Sequence, residues 1–443
     1  MEEATAIPSP NMRAKSSRRE RVAWYLYDFG NSAYAAVVLL AIYSAYFKSE
    51  VAGGAEGSRL WGISVGIAML IVAVTSPVLG AIADFSGAKK RFLLFYTAMS
   101  CVFTALLFFV RPGDVVMGMA FFILAEVGYR SAQVFYNALL PEIASSEEIG
   151  SISGLGWAIG SAGGILCLIL ILALIMLIGG TFIVRLSLAI TALYFAASSV
   201  PIFLWVRERA QPQPFPEGEN ALSVGFKRLA TTFRKVRRYR EFLKFMGAFL
   251  VYNDGILMAL DFAAILGAVL YGMDQQELII FMILVQIASV AGAYLFGTLA
   301  DRIGSKRSLM LSLWLMIGAA VWMFFNDSIV GFYWIGGLAG FALTGVQSVS
   351  RTMIGLFSPP GQSAEFYGFF AVAGRTSSFI GPTIYGILAA EAALWFQAQG
   401  QPALLAEQSG QRIAILSIVA FLVAGAALLL LVNERRAREQ ALA

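Results

Sequence analysis

Histidine is absent from the 443 residues, and cysteine occurs only at Cys101 and Cys167. Without histidine the chain lacks the commonest metal ligand and the commonest general base, which argues against hydrolytic or metal-dependent catalysis. Both cysteines lie in apolar runs, so no structural disulfide is expected and they say little about compartment. Charge is scarce as well. Asp, Glu, Lys and Arg make up 13% of the residues, roughly half the share typical of a soluble domain. No G-x-x-x-x-G-K-[ST] loop occurs, so ATP is not expected to supply energy. No acidic cluster with metal-ligand spacing is found, and no cofactor, metal or nucleic-acid partner is expected.

What remains is largely apolar: 59% hydrophobic residues, with 43 Gly and 34 Phe, and a mean hydropathy of +0.75. A chain with lipid as its outer solvent has this composition, and glycine is common where membrane helices pack closely. Crossing a bilayer takes about 20 apolar residues. The sequence offers twelve such runs, at 22–47, 60–83, 91–111, 115–139, 150–177, 181–206, 242–271, 277–300, 308–325, 328–350, 365–389 and 412–432. The first follows a basic stretch and shows no small-residue cleavage site, so it reads as a retained helix. Twelve spans put both ends of the chain on one side. The N-terminal arm (Arg13, Lys15, Arg18, Arg19, Arg21), the 2–3 and 8–9 loops, the central segment and the tail all place their Lys and Arg there. The opposite side keeps Lys48, Arg59, Arg111, Arg185 and Arg412. The positive-inside rule then makes the termini cytoplasmic, in the plasma (inner) membrane if the cell is bacterial.

The apolar pattern breaks at "RERAQPQPFPEGEN", whose Pro, Gln, Gly and Glu content marks a linker. Phe226, Leu229, Phe233 and Val236 follow at helical spacing among Arg and Lys, the pattern of a basic amphipathic helix on the membrane surface. The expected organisation is an arm (1–21), a six-helix bundle (22–208), a linker (209–240), a second six-helix bundle (241–433) and a tail (434–443). "GAIADFSGAKK" from Gly80 and "GTLADRIGSKR" from Gly297 match at a constant offset. The matches are Gly80, Ala83, Asp84, Gly87 and Lys89 in the first copy and Gly297, Ala300, Asp301, Gly304 and Lys306 in the second. Arg302 stands where the first copy has Phe85. Two such loops, each between the second and third spans of a half, indicate duplication and pseudo-two-fold symmetry.

Polar groups inside the spans are the functional leads, because a charge at the centre of a membrane helix costs about 2.5–3.5 kcal/mol. Span 1 carries Asp28 and Asn31 on one face with Trp24 and Ala35, and Tyr34 nearby. Span 4 carries Glu126, Arg130, Gln133 and Asn137 at the same spacing, and Glu126 can pair with Arg130 one turn on. Span 7 carries Asp254, Met258 and Asp261, with Asn253 beside them; span 10 carries Thr344, Gln347 and Arg351; span 11 carries Arg375. Asp28 admits three roles: substrate ligand, proton carrier or helix latch. Glu126–Arg130 admits a purely structural one. The glycines Gly156, Gly160 and Gly164 are expected to pack helices.

The paired loops resemble the signature of the major facilitator superfamily, and the resemblance covers nearly the whole chain. "WYLYDFGNSAY" (24–34), "FYNALLPEIA", "SGLGWAIGSAGG", "VYNDG" and "GRTSSFIGP" look like the autophagy-related vacuole-effluxer branch. That branch is associated with amino-acid efflux from the fungal vacuole. The resemblance implies an all-α integral membrane fold of twelve transmembrane helices in two bundles, with spans 1, 4, 7 and 10 lining a central cavity. It further implies a monomeric secondary transporter of a small solute, working by alternating access with the signature loops latching the cytoplasmic side. Opposite charges at mid-membrane suit an amino-acid-like zwitterion; amphipathic or lipid-like solutes are the alternative. Carboxylates exceed arginines among the buried charges, so protons are a candidate coupling ion and Asp254 the candidate carrier. Readings of a different class are a membrane-embedded lipid enzyme and a transporter-like sensor.

Overall fold

A computed structural model describes residues 17–85, 87–144, 149–209, 218, 220–359, 366, 369–370, 373–374 and 378–442. Within the described residues there is no β-strand. In hydrocarbon a lone helix satisfies its own backbone, so apolar runs of this length fold as helices. The first half holds α1 (Arg18–Ala52), α2 (Gly54–Phe85), α3 (Lys89–Leu106), α4 (Val115–Ile143), α5 (Ile149–Ile178) and α6 (Gly180–Trp205). The linker carries α7 (Ala221–Val236). The second half holds α8 (Arg240–Asp261), α9 (Ala263–Tyr271), α10 (Gln275–Ile303), α11 (Ser305–Phe325), α12 (Ile329–Phe357), α13 (Ile380–Ala398) and α14 (Ala403–Leu430), and α15 (Glu434–Leu442) follows. Among the described residues, eleven helices are long and apolar enough to cross a membrane. The twelfth expected span, 365–389, lies partly outside them, and α13 is its described part.

Each half is knit internally. In the first, α1 packs on α5 and α6, α3 on α4 and α6, and α2 on α4; in the second, α8 packs on α14, α12 on α10 and α11, and α13 on α14. The halves meet where α2 packs on α13 and α5 on α10. Gly62 and Gly386 bring α2 and α13 together, since a Cβ on Gly386 would lie 2.6 Å from the Ser58 carbonyl. The glycines of α5 seat α1. A Cβ on Gly160 would lie 2.7 Å from Asp28 Oδ2, and Gly156 faces the Trp24 ring.

Several spans depart from the expected limits, span 10 running on to Phe357. Span 1 runs past Phe47 to Ala52, with π-helical stretches at Ala35–Ala41 and Phe47–Ala52. Span 2 starts at Gly54, and span 12 at Ala403, well before residue 412. These added turns carry Lys48, Ser58, Glu407 and Gln411, whose partners lie across the interface between halves. Tertiary pairing therefore keeps helical what polarity alone marked as loop. Span 7, expected to be continuous, breaks at Phe262 (φ −109, ψ 1) between α8 and α9, with no Pro or Gly there to signal it.

At the end where the termini lie, the two halves repeat one set of contacts. The Lys90 backbone N–H donates to Glu208 Oε1 at 2.7 Å, and its Nζ donates to the carbonyls of Phe203 (2.7 Å) and Val206 (2.6 Å) at the end of α6. The Lys306 N–H donates to Glu434 Oε2 at 3.1 Å, and its Nζ to the carbonyls of Leu430 (3.0 Å) and Val432 (2.6 Å) at the end of α14. Glu20, at the start of α1, accepts the Arg207 N–H at 3.2 Å; Glu241, at the start of α8, accepts that of Asn433 at 2.7 Å. At the opposite, far end Arg185 reaches the Phe108 carbonyl (3.4 Å) and Arg412 that of Phe324 (2.6 Å).

This corrects the sequence alignment of the loops. Lys89 matches Lys306 in sequence, but Lys90 and Lys306 are each the second residue of their helix and hold the equivalent partners. Lys89 instead pairs with Glu142. Gly87 (φ 57) and Gly304 (φ 94) turn the two loops with positive φ. Gly80 and Gly297 are half-buried and Arg302 is exposed; the side chains of Asp84 and Asp301 lie outside the described set. The described loop contacts stay within their own half, so the expected latch across the termini side is not seen in this conformation.

Candidate functional site

Glu126 and Arg130 form the centre. Arg130 Nε donates to Glu126 Oε1 at 2.7 Å along one turn of α4. The Glu126 side chain is fully buried, while that of Arg130 is 24% exposed. Asp261, at the broken end of α8 in the other half, is buried within electrostatic range of Arg130 and Glu126. Glu126 Oε2, Asp261 Oδ2 and the Tyr34 hydroxyl have no hydrogen-bond partner among the described residues. Tyr34 is fully buried and stacks on Tyr129 at 4.5 Å, and Arg130 lies over the Tyr129 ring at 5.3 Å. Tyr34 is thus wall rather than a ring free to stack on a ligand.

Exposure changes along the lining helices. On α4 it rises from buried Glu126 through half-buried Gln133 to exposed Asn137. On α12 it rises from buried Thr344 to exposed Gln347 and Arg351. Both helices run toward the termini side. Polar side chains exposed at this depth face water rather than lipid, so the lining describes a cavity open on the termini side, with Glu126, Arg130 and Asp261 at its closed end. Asp28 is half-buried and Asn31 buried beside it; Asp28 sits against Gly160 and Ser32 in the α1–α5 seam. Trp24 is turned into the first half, its Nε1 donating to the Tyr136 carbonyl at 3.3 Å. Asn253 is half-buried. Asp254 is buried and packs against Gly381 of α13. Arg375 lies outside the described residues.

Beyond the closed end stands a gate that the sequence did not reveal. Trp61 is fully buried among Tyr43, Phe47 and Phe122, with its ring 4.6 Å from that of Phe122. Its Nε1 donates to the Asp261 carbonyl at 2.8 Å, across the halves. Gln411 Nε2 donates to Ser58 Oγ at 2.7 Å and its Oε1 accepts from the Tyr385 hydroxyl at 2.9 Å. Two ion pairs cross the same end, Lys48–Glu407 and Arg59–Glu391. The signal was present as far-side cations, but it needed the acids at the starts and ends of spans 11 and 12 to be read with them. An apolar cavity of about 80 Å³ lies apart from these groups inside the second half, lined by residues such as Ala259, Phe281, Met316 and Ile418. It offers no polar group to orient a solute.

Comparison with known proteins follows the same lines. The family model described as "Vacuole effluxer Atg22 like" matches residues 61–150 and 144–442. An uncharacterized MFS-type transporter of Bacillus subtilis, YxiO, is 27% identical over 85% of this chain and 89% of its own length. Autophagy-related protein 22-1 of Aspergillus niger is 27% identical over 58% of this chain, a match that spans 45% of the fungal protein. In fold, a bacterial homologue of the human lysosomal transporter Spinster, crystallised inward-facing and unoccupied, aligns with a TM-score of 0.71 at 14% identity. That alignment covers 98% of this chain and 99% of the homologue.

Proposed function

The chain belongs to the vacuole effluxer Atg22-like family and is a membrane transporter of the major facilitator type; on that premise we propose that it moves an amino-acid-like zwitterion by alternating access. One observation carries this reading: the Glu126–Arg130 ion pair of α4 lies at the closed end of a polar-lined cavity, within electrostatic range of the buried Asp261 of α8 in the other half. A zwitterion needs a cation and an anion within one small volume. Arg130 supplies the first, Glu126 and Asp261 the second, and Gln133, Asn253 and Gln347 supply neutral groups along the approach, while Asp28, Asn31 and Asp254 are packed between helices in this conformation. The open termini side is taken as cytoplasmic from the placement of Lys and Arg, so the conformation corresponds to the inward-facing state in which the Spinster homologue was crystallised.

The test begins with thermal-shift screening of purified protein against amino acids, dipeptides and lysolipids, followed by proteoliposome flux of each hit. The expected result is stabilisation by an amino acid and saturable flux that Arg130→Gln reduces at least tenfold. Stabilisation and flux confined to lysolipids would replace the zwitterion with an amphipathic solute.

A further inference from the structure

Three observations meet at Asp261. It is buried within electrostatic range of the Glu126–Arg130 pair, making a cluster of two carboxylates and one guanidinium, and its Oδ2 has no hydrogen bond among the described residues. It lies at the last residue of α8, where the helix breaks. Its backbone carbonyl is held by Trp61 of the other half, the aromatic centre of the far gate. An unpaired ionised carboxylate in such a place costs several kcal/mol, whereas a protonated one makes the cluster electrically neutral. Among the described residues the charged groups acting on Asp261 are Arg130 and Glu126, both from α4. Tyr34 of α1 and Tyr129 stand behind Glu126, Trp61 of α2 touches only the carbonyl, and Asp254 lies two turns back on α8, against α13.

We propose that Asp261, rather than Asp254, is the residue that couples protons to the far gate: it is protonated while the gate is closed and gives its proton to far-side water when the gate opens. The inference rests on the alternating-access reading. Opening parts Trp61 from the Asp261 carbonyl and admits water to the carboxyl group. The O–H bond then breaks, the proton leaves to that water, and the carboxylate is left hydrated beside Arg130. Closing reverses the step, so each cycle exchanges one proton at this atom. The sign follows directly. The closed state binds one more proton than the open state, so acid favours closure and raising the pH favours opening, with a limit of about tenfold in the open-to-closed ratio per pH unit.

The experiment measures the distance across the far gate with no solute present. Spin labels are placed at Pro112 and Gln401, in far-side loops of the two halves, in full-length protein lacking Cys101 and Cys167. Double electron–electron resonance distances are recorded from pH 5 to 8. Wild type is expected to shift toward longer distances as pH rises, Asp261→Asn to stay closed throughout, and Asp261→Glu to regain the response. A gate that ignores pH in wild type, or a response kept in Asp261→Asn and lost in Asp254→Asn, overturns the proposal. Because no solute enters the measurement, a wrong substrate class leaves this result standing, and a pH-insensitive gate leaves solute flux untouched.

Discussion

Lys90 in the first half and Lys306 in the second hold the ends of α6 and α14 in the same way, and Glu20 and Glu241 do the same for the residues that follow them. Among the described residues the centres of the halves show no such repeat. The first contributes Glu126 and Arg130 as an ion pair, the second a buried aspartate with no cation of its own among the described groups that act on it. The far gate likewise joins unlike groups, Lys48 to Glu407 and Trp61 to the Asp261 carbonyl. The contacts described as duplicated lie within a half and tie each bundle into one body. The helix contacts between halves are paired, α2 on α13 and α5 on α10, but the polar contacts named at the far end have no described duplicate, and these are the ones the proposed rocking motion must break. Difference between the halves is therefore concentrated where the proposed function places solute and movement.

The comparison breaks most visibly if a bundle lock is removed. Lys89 and Glu142 form a pair with both side chains about 10% exposed or less, and Glu142 also accepts the Arg209 N–H at 2.6 Å. Glu142→Gln leaves Lys89 buried without its counter-charge, which is expected to cost about 3–5 kcal/mol of stability. It should appear as a lower melting temperature in detergent, with no preference for either conformation. Next in size is the gate. Glu407→Gln strips the buried Lys48 of its partner and is expected to disfavour the closed far side by about 3 kcal/mol. Glu391→Gln at the neighbouring pair, where Glu391 is 61% exposed, should change the same equilibrium by less than about 1 kcal/mol. Accessibility of a far-gate cysteine to a membrane-impermeant reagent measures both, and equal effects would contradict the assignment of Lys48–Glu407 as the stronger gate contact. The smallest effect sharpens the link from gate to cluster. Trp61→Phe keeps the aromatic packing but removes one hydrogen bond, worth about 1 kcal/mol, and should raise cysteine accessibility modestly without lowering thermal stability further than that.

Much of this was legible in the sequence. Long apolar runs must be helices in lipid, and the placement of Lys and Arg orders them, so the nearly all-helical architecture was legible in composition, with eleven of the twelve expected spans found among the described residues as helices long enough to cross a membrane. Glu126 and Arg130 were legible too, because a charged pair one helical turn apart inside such a run has few other partners. Lys90 was missed because its role is fixed by its position in the first turn of α3, and the loop alignment is displaced by one residue from the helix starts. Asp261 was seen but ranked below Asp254, since only the fold shows that α8 breaks at Asp261 and that Trp61 holds its carbonyl across the halves. The gate was missed for a plainer reason. Its polar residues lie on helical turns outside the apolar runs, at Lys48, Ser58, Glu407 and Gln411, where hydropathy marks a loop and pairing across the halves makes a helix.

The most direct measurement compares two distances on the far side in wild type and in Glu407→Gln. One joins Pro112 to Gln401, across the halves; the other joins Pro112 to Leu177, an exposed position at the end of α5 within the first half. If each half is a locked body and the gate holds them together, the first distance lengthens in Glu407→Gln and the second does not change. Both distances lengthening together, or the first remaining fixed while Lys48 has lost its partner, would contradict the account.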